Sequence, residues 1–243
     1  MTAKFWRQLD DKKMQDDSAK KRMKFSNRWF CYLDLLGFTN LIRNGEAEHV
    51  IPLYNQVVKE LRQQVTARES LDVSYSWFSD TFIIFSNRNT LREFDNVQTA
   101  ARKFFVRLLL ARIPVRGAIS YGKLYTQKDD NIFIGEALIE AYEYGEKQDW
   151  LGLLLSPSIS HYFGGLPEFL RDFYRPPHKS GIITHARPND VYAYGFREPG
   201  KDNDAFLVSL RAMRDSAPPE ARIIRKYTNA EEFILEACPD GSV

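Results

Sequence analysis

Apolar positions along this chain fall into blocks whose spacing changes from strand-like to helical and back. Over 28–35, Trp29, Phe30, Tyr32 and Leu33 form the run of a buried strand. Gly37 interrupts it, and Val50, Tyr54, Val57, Val58, Leu61 and Val65 then share one face of a predicted helix. Residues 72–78 and 81–86 are β-rich runs that meet at Ser79-Asp80, which predicts a hairpin with the acidic residue at its tip. A second helix is predicted over 90–112, where Phe94, Val97, Ala101, Phe104, Phe105 and Leu108 recur at helical spacing. Residues 114–121 return to the sheet, 135–149 read as a helix opened by Gly135, and 151–155 as a strand closed by Ser156-Pro157. Beyond that, Pro167, Pro176-Pro177, Pro188 and Pro199 divide the chain into short pieces, with a last helix predicted over 230–237. The order β-α-β-β-α-β with a central hairpin is an α+β, ferredoxin-like arrangement with additions.

Composition narrows the partners more than the fold. With 243 residues, 44% of them hydrophobic and 14% aromatic, the chain is long enough for one sizeable core. Lys plus Arg exceeds Asp plus Glu by two, so no overall field argues for direct binding to nucleic acid or to a membrane surface. An anionic ligand must therefore be met by local groups. No apolar stretch reaches the roughly 18 residues of a membrane span. Cys31 and Cys238 form neither a metal spacing nor a disulfide framework, and no charged-then-apolar leader opens the chain, which gives the expectation of a reduced, cytoplasmic protein. Residues 1–27 are polar and charge-dense and read as a solvated extension.

Candidate chemistry centres on two carboxylates. Asp34 and Asp80 each stand at the end of an apolar strand, where a pair of carboxylates can clamp two Mg²⁺ or Mn²⁺ ions about 3.5–4 Å apart for phosphoryl or nucleotidyl transfer. The plainer alternative for Asp34 is an N-cap on the helix that follows. Glu136, Glu140 and Glu143 recur on one helix face and read as an exposed charged stripe. Tyr75 and Trp77 read first as strand-core aromatics. His49, His161, His178 and His185 show no metal spacing, and no Ser/His/Asp or Cys/His arrangement points to nucleophilic catalysis.

Asp34-Leu35-Leu36-Gly37-Phe38-Thr39 resembles the D-x-x-G-F-T opening of class III adenylate and guanylate cyclases. Phe78-Ser79-Asp80 is similar to the hairpin that carries the second metal aspartate of that family, and the segment from Val115 to Gly122 to its R-x-G-I-x-x-G strand. Gly135 to Ala141 resembles the helix opening G-x-x-V-N-x-A, and Leu153-Leu154-Leu155-Ser156 the I-L-V-S strand. The resemblance implies a catalytic domain over 28–243, with its motifs in 28–156 and a C-terminal completion in 157–243. It implies that Asp34, Asp80 and the Leu35 carbonyl hold two divalent cations, Mn²⁺ or Mg²⁺. Gly37, Phe38 and Thr39 would offer backbone N–H groups to a triphosphate at a helix N-terminus, and Arg116 would contact phosphate oxygens, with Lys179 as a candidate second cation. A homodimer is implied, with active sites at the interface.

The departures from the family pattern concern the base. Its purine-reading lysine corresponds to Ser76, its purine-reading aspartate to Ile132, and its helix asparagine and arginine to Ile139 and Glu143. Retained metal carboxylates beside an altered base pocket resemble the pyrimidine cyclases of bacterial Pycsar anti-phage systems. That likeness implies a lyase that turns UTP, or CTP less favourably, into the 3′,5′-cyclic monophosphate and pyrophosphate. An adenylate or guanylate cyclase with an unusual pocket, and a silent nucleotide-sensing dimer, are the rival readings. Tyr75 is the favoured base contact and Ser76 the second choice, because a strand's period of two keeps both from facing the nucleotide.

Overall fold

The central strand is β1 (Ser26–Leu35), and its alternation decides how the rest is layered. The computed structural model describes residues 24–38, 48, 51–52, 55–56, 59, 73–167, 170, 173–174, 191–196 and 204–237. Within these, β2 (Val73–Phe78) and β3 (Thr81–Ser86) form the hairpin, followed by α1 (Leu91–Leu110), β4 (Val115–Gln127), β5 (Ile132–Gly135) and α2 (Glu136–Glu146). Then come β6 (Leu153–Leu155), α3 (Pro157–Phe163), β7 (Phe173–Tyr174), β8 (Tyr192–Tyr194), α4 (Asp204–Ser216) and α5 (Ala221–Ala237). The strands make one mixed sheet in the order β2-β3-β1-β4-β6-β8-β7, with β5 paired to β4. Its first four strands, in the order β2-β3-β1-β4, are those of a ferredoxin-like core, so the α+β expectation holds.

Both faces of β1 are buried, which is why its sequence reads as a nearly unbroken apolar run. Trp29, Cys31, Leu33 and Leu35 enter the main core, while Phe30 and Tyr32 enter a second cluster on the opposite face. The main core is filled by α1, whose Phe104 stacks on Phe82 with ring centroids 4.1 Å apart. That helix starts where the sequence placed it, because Thr90 and Glu93 form a reciprocal capping box. The second cluster is closed by α2, through Ala137 and Ala141 against Phe30, Tyr32 and Leu124. Gly145 in its last turn is what lets α2 lie against β1. A Cβ there would stand 2.7 Å from the Tyr32 ring and 3.6 Å from the Gly117 Cα.

Several expectations shift. β4 runs on to Gln127 and returns as β5 through Asn131 in the left-handed region, a hairpin that the sequence reading missed. α2 ends at Glu146 and not at 149, and β6 begins at Leu153 and not at 151. The last helix begins at Ala221, nine residues before the predicted start at 230, and α4 was not foreseen. Phe206, Leu210 and Met213, then Tyr227, Ala230, Phe233 and Ile234, carry the missed helical period, and Pro218-Pro219 separates the two helices. The residues named for the helix between β1 and β2 lie outside the described residues. Glu48, Ile51, Pro52, Asn55, Gln56 and Lys59 are helical and exposed.

Because the α2–β1 contact has no room for a side chain at 145, Gly145→Val is expected to lower stability by about 1–3 kcal/mol through overpacking. Urea unfolding measures this. A midpoint equal to that of the wild type would show that α2 does not lie this close to Tyr32.

Candidate active site

Strand register assembles the site. Phe78, Thr81, Asp34 and Arg116 form one row across β2, β3, β1 and β4, and Ser76, Ile83, Tyr32 and Ala118 form another on the same face. Trp77, Phe82, Leu33 and Gly117 make the intervening row, and Tyr75, Ile84, Cys31 and Ile119, one row beyond Tyr32, face the main core. The β2–β3 turn is tight, with Ser79 at φ +55, and its Asp80 carbonyl accepts from the Leu35 N–H at 3.0 Å. The Leu36 N–H donates to the Pro114 carbonyl at 2.9 Å, and Gly37 turns the chain at φ +75. These bonds bring the end of β1 against the hairpin tip, so Asp34 and Asp80 open into one cleft of about 440 Å³. The cleft is also lined by Leu35, Leu36, Gly37, Phe38, Thr81 and Arg116, and by Tyr32, Tyr142 and Glu146.

At its floor lies a buried carboxylate–guanidinium–carboxylate group. Arg116, 8% exposed, donates from Nε to Asp34 Oδ2 at 3.0 Å, and its Nη2 stands 3.0 Å from the same oxygen. Nη2 also reaches Glu146 Oε2 at 2.5 Å, and Nη1 donates to the backbone carbonyls of Glu146 at 2.5 Å and Gln148 at 3.3 Å. Tyr32 donates its hydroxyl to Glu146 Oε1 at 3.0 Å. Three carboxylates and one guanidinium therefore line the cleft, and Lys226 lies close enough to interact electrostatically with Arg116 and Asp34. Burial first and the Glu146 charge second raise the Asp34 carboxyl to about 6, against the opposing pull of Arg116. Burial, with smaller contributions from the Asp34 and Glu146 charges, likewise pushes the Tyr32 phenol up.

The structure brings Asp34, Leu35, Gly37, Phe38, Asp80 and Arg116 to one cleft. Thr39 and Lys179 lie outside the described residues. The Asp34 side chain meets Arg116, and the helix residues that it would cap in the plainer reading lie outside the described residues. Tyr75 is displaced from its favoured role. It packs on the core face, its ring stacked on Phe82 at 5.8 Å, whereas Ser76 lies on the cleft face and its hydroxyl meets Asn131 Oδ1 at 3.2 Å. Trp77 is not a core residue, being 37% exposed, with its indole N–H donating to the Ser79 carbonyl.

The glutamate stripe is also corrected. Glu136 is exposed, but Glu140 accepts from the Ser158 N–H at 3.1 Å and Glu143 approaches Lys147 at 4.0 Å. The residue that reasoning from sequence missed is Glu146, which continues the same series one turn further. Its signal was the i, i+3 spacing from Glu143 on a helix end that faces β1.

No protein-family model and no curated protein matches the chain by sequence. Among solved structures, the adenylyl cyclase CyaB from P. aeruginosa aligns with a TM-score of 0.50 at 14% identity, over 70% of this chain and 94% of that one. The catalytic core of a rhodopsin-guanylyl cyclase with converted specificity, in complex with ATPαS, aligns with a TM-score of 0.50 at 11% identity, over 70% and 96%. A double mutant of the guanylyl cyclase domain of the RhoGC fusion protein from the aquatic fungus Blastocladiella emersonii gives 0.50 at 10%, over 70% and 94%. The fold is thus that of class III cyclase catalytic domains. No helix among the described residues is long and apolar enough to cross a membrane.

A carboxyl near 6 when folded and near 3.8 when unfolded binds its proton more tightly in the folded chain. Metal-free protein therefore loses stability as pH rises from about 4 through about 6, and Asp34→Asn escapes that loss. In chelator, Asp34→Asn is expected to melt above the wild type at pH 7.5, with the gap narrowing toward pH 4.5. A variant that melts below the wild type at pH 7.5 would mean that the Arg116 pairing outweighs burial.

Proposed function

We propose that this chain is a nucleotidyl cyclase acting on pyrimidine nucleoside triphosphates, UTP before CTP. The observation that carries the reading is the meeting of Asp34 and Asp80, from two strand ends, in a cleft whose rim is the Gly37–Phe38 backbone. The donor set fits hard divalent cations: Asp34, Asp80 and the Leu35 carbonyl are oxygen ligands at one cleft. Two bound Mn²⁺ or Mg²⁺ ions would activate the 3′-hydroxyl and stabilise charge on the leaving group.

The chain's own residues do the positioning. Backbone N–H groups at Gly37 and Phe38 receive the triphosphate where a helix begins, and Thr39 and Lys179 extend that contact. Arg116 supplies the guanidinium nearest to the phosphates. Ring closure forms the bond from the 3′-oxygen to the α-phosphorus, breaks the bond from that phosphorus to the bridging oxygen, and releases pyrophosphate as the hydroxyl proton passes to solvent. A site that closes over this geometry gains chiefly from orientation and fixed charge.

Base choice rests on what replaces the purine readers. Ser76 is a short side chain on the cleft face, and Ile132 and Ile139 are apolar and exposed. None of them offers a purine the paired cation and carboxylate that its ring edge needs. Ile132 and Ile134 on β5, with Ile139 and Tyr142 on α2, expose apolar surface on consecutive elements, which supports a homodimer with its sites at the interface. The role of the product as a second messenger in antiviral defence follows from the resemblance to Pycsar cyclases alone.

Incubation with Mn²⁺ and each of UTP, CTP, ATP and GTP separately, with products resolved by chromatography, tests the reading. Cyclic UMP or cyclic CMP is expected, and Asp80→Asn should abolish it. Faster cyclisation of ATP or GTP would defeat the pyrimidine assignment, and product from none of the four would favour a silent sensor. Ser76→Ala should alter the UTP-to-CTP ratio, whereas Tyr75→Phe, which keeps the core ring, should leave it unchanged. Sedimentation of Ile139→Asp should show monomers where the wild type is dimeric, and a dimer of unchanged affinity would place the interface elsewhere.

A further inference from the structure

Arg116 occupies one of the two carboxylate oxygens that Asp34 can offer a cation. Both its Nε and its Nη2 converge on Asp34 Oδ2, each at 3.0 Å. Its other contacts all lie on one side, at the end of α2 and the turn after it: Glu146 Oε2, the Glu146 carbonyl and the Gln148 carbonyl. That side alone provides a full counter-charge and two carbonyls, at a helix C-terminus where a cation is favoured. The anchor is itself fixed, because Tyr32 holds the other Glu146 oxygen and Gly145 seats the helix end on β1.

We infer that Arg116 is a displaceable counter-ion at Asp34, and that Glu146 is the positioning residue that holds Arg116 in the cleft when a divalent cation takes its place. The inference rests on the two-metal reading above and extends it to a residue outside the expected site. A guanidinium released from Asp34 but held by Glu146 stays buried with its charge paired, so displacement does not strand it. It also stays beside the phosphate loop with its Nε free to donate. Without Glu146, Arg116 would keep its whole charge on Asp34 and oppose the incoming ion. Without Arg116, no guanidinium competes for Asp34 Oδ2, and the ion binds there more tightly.

Direct Mn²⁺ titration by electron paramagnetic resonance of the free ion, without nucleotide, reads this independently of turnover. Arg116→Gln is expected to bind Mn²⁺ about tenfold more tightly than the wild type, and Glu146→Gln about tenfold more weakly. The double variant Arg116→Gln/Glu146→Gln should bind as Arg116→Gln does, since no guanidinium remains to be held. If Glu146→Gln weakens binding equally in both backgrounds, Glu146 is a metal ligand and the inference is overturned. It is equally overturned if Arg116→Gln binds no more tightly than the wild type. Should Arg116→Gln fail to fold, the wild type still decides: the Arg116 Nε–H resonance must shift and exchange faster on saturation with Mg²⁺, and an unchanged resonance overturns the inference. Cyclisation without the expected order of affinities would leave the cyclase reading standing alone. The expected order without cyclisation of any nucleotide would leave only the counter-ion assignment.

Discussion

The placement of one guanidinium constrains everything around it. Arg116 sits in the middle of the sheet with 8% of its surface exposed, and a buried cation must be fully paired or the fold loses several kcal/mol. Its partners come from three places in the fold: Asp34 from β1, Glu146 from the end of α2, and the Gln148 carbonyl in the turn after that helix. The register of β1 against β4 puts Asp34 opposite Arg116, and the glycine at 145 brings the helix within reach. The same contacts that satisfy the cation draw the end of β1, the hairpin tip and the helix C-terminus to one cleft.

That arrangement also sets three carboxylates, Asp34, Asp80 and Glu146, around one guanidinium in the cleft. A cluster of carboxylates at a strand end is costly for a purely structural site, and it is the condition under which a divalent ion or a polyphosphate with its cations is drawn in. The fold shared with cyclase catalytic domains places this cleft at the junction of β1 and the β2–β3 hairpin. Ser76, Ile132 and Ile139, the positions proposed to meet the base, stand outside the set of cleft-lining residues.

The fold was legible where period and punctuation agreed. The buried run at 28–35, the hairpin around Ser79-Asp80 and the capped helix after Thr90 emerged nearly as read, because each combines a clear period with a turn or cap residue. The β4–β5 hairpin was not, since its turn is made by Asn131 in a left-handed conformation with no Gly or Pro to announce it. α4 is hard to read from sequence because Pro199 and Pro218-Pro219 flank it, although Phe206, Leu210 and Met213 keep a helical period. Tyr75 and Trp77 were ranked by residue type, but face and distance from the sheet end decide their roles: Tyr75 points to the core, and Trp77 lies at the exposed hairpin end.

By itself, the sequence determined the carboxylates at the two strand ends, the turn glycine after the first of them, and the arginine on the strand that pairs with it. These are local properties, set by strand ends and turn chemistry within a few residues of each position. Only the tertiary structure decided that Arg116 points at Asp34 and Glu146, that Glu146 belongs to the site at all, and that Ser76 and not Tyr75 shares the cleft face. Those facts depend on register and on how closely a helix can approach a strand. Contacts such as Tyr32 to Glu146, 114 residues apart, arise from packing that no local period encodes.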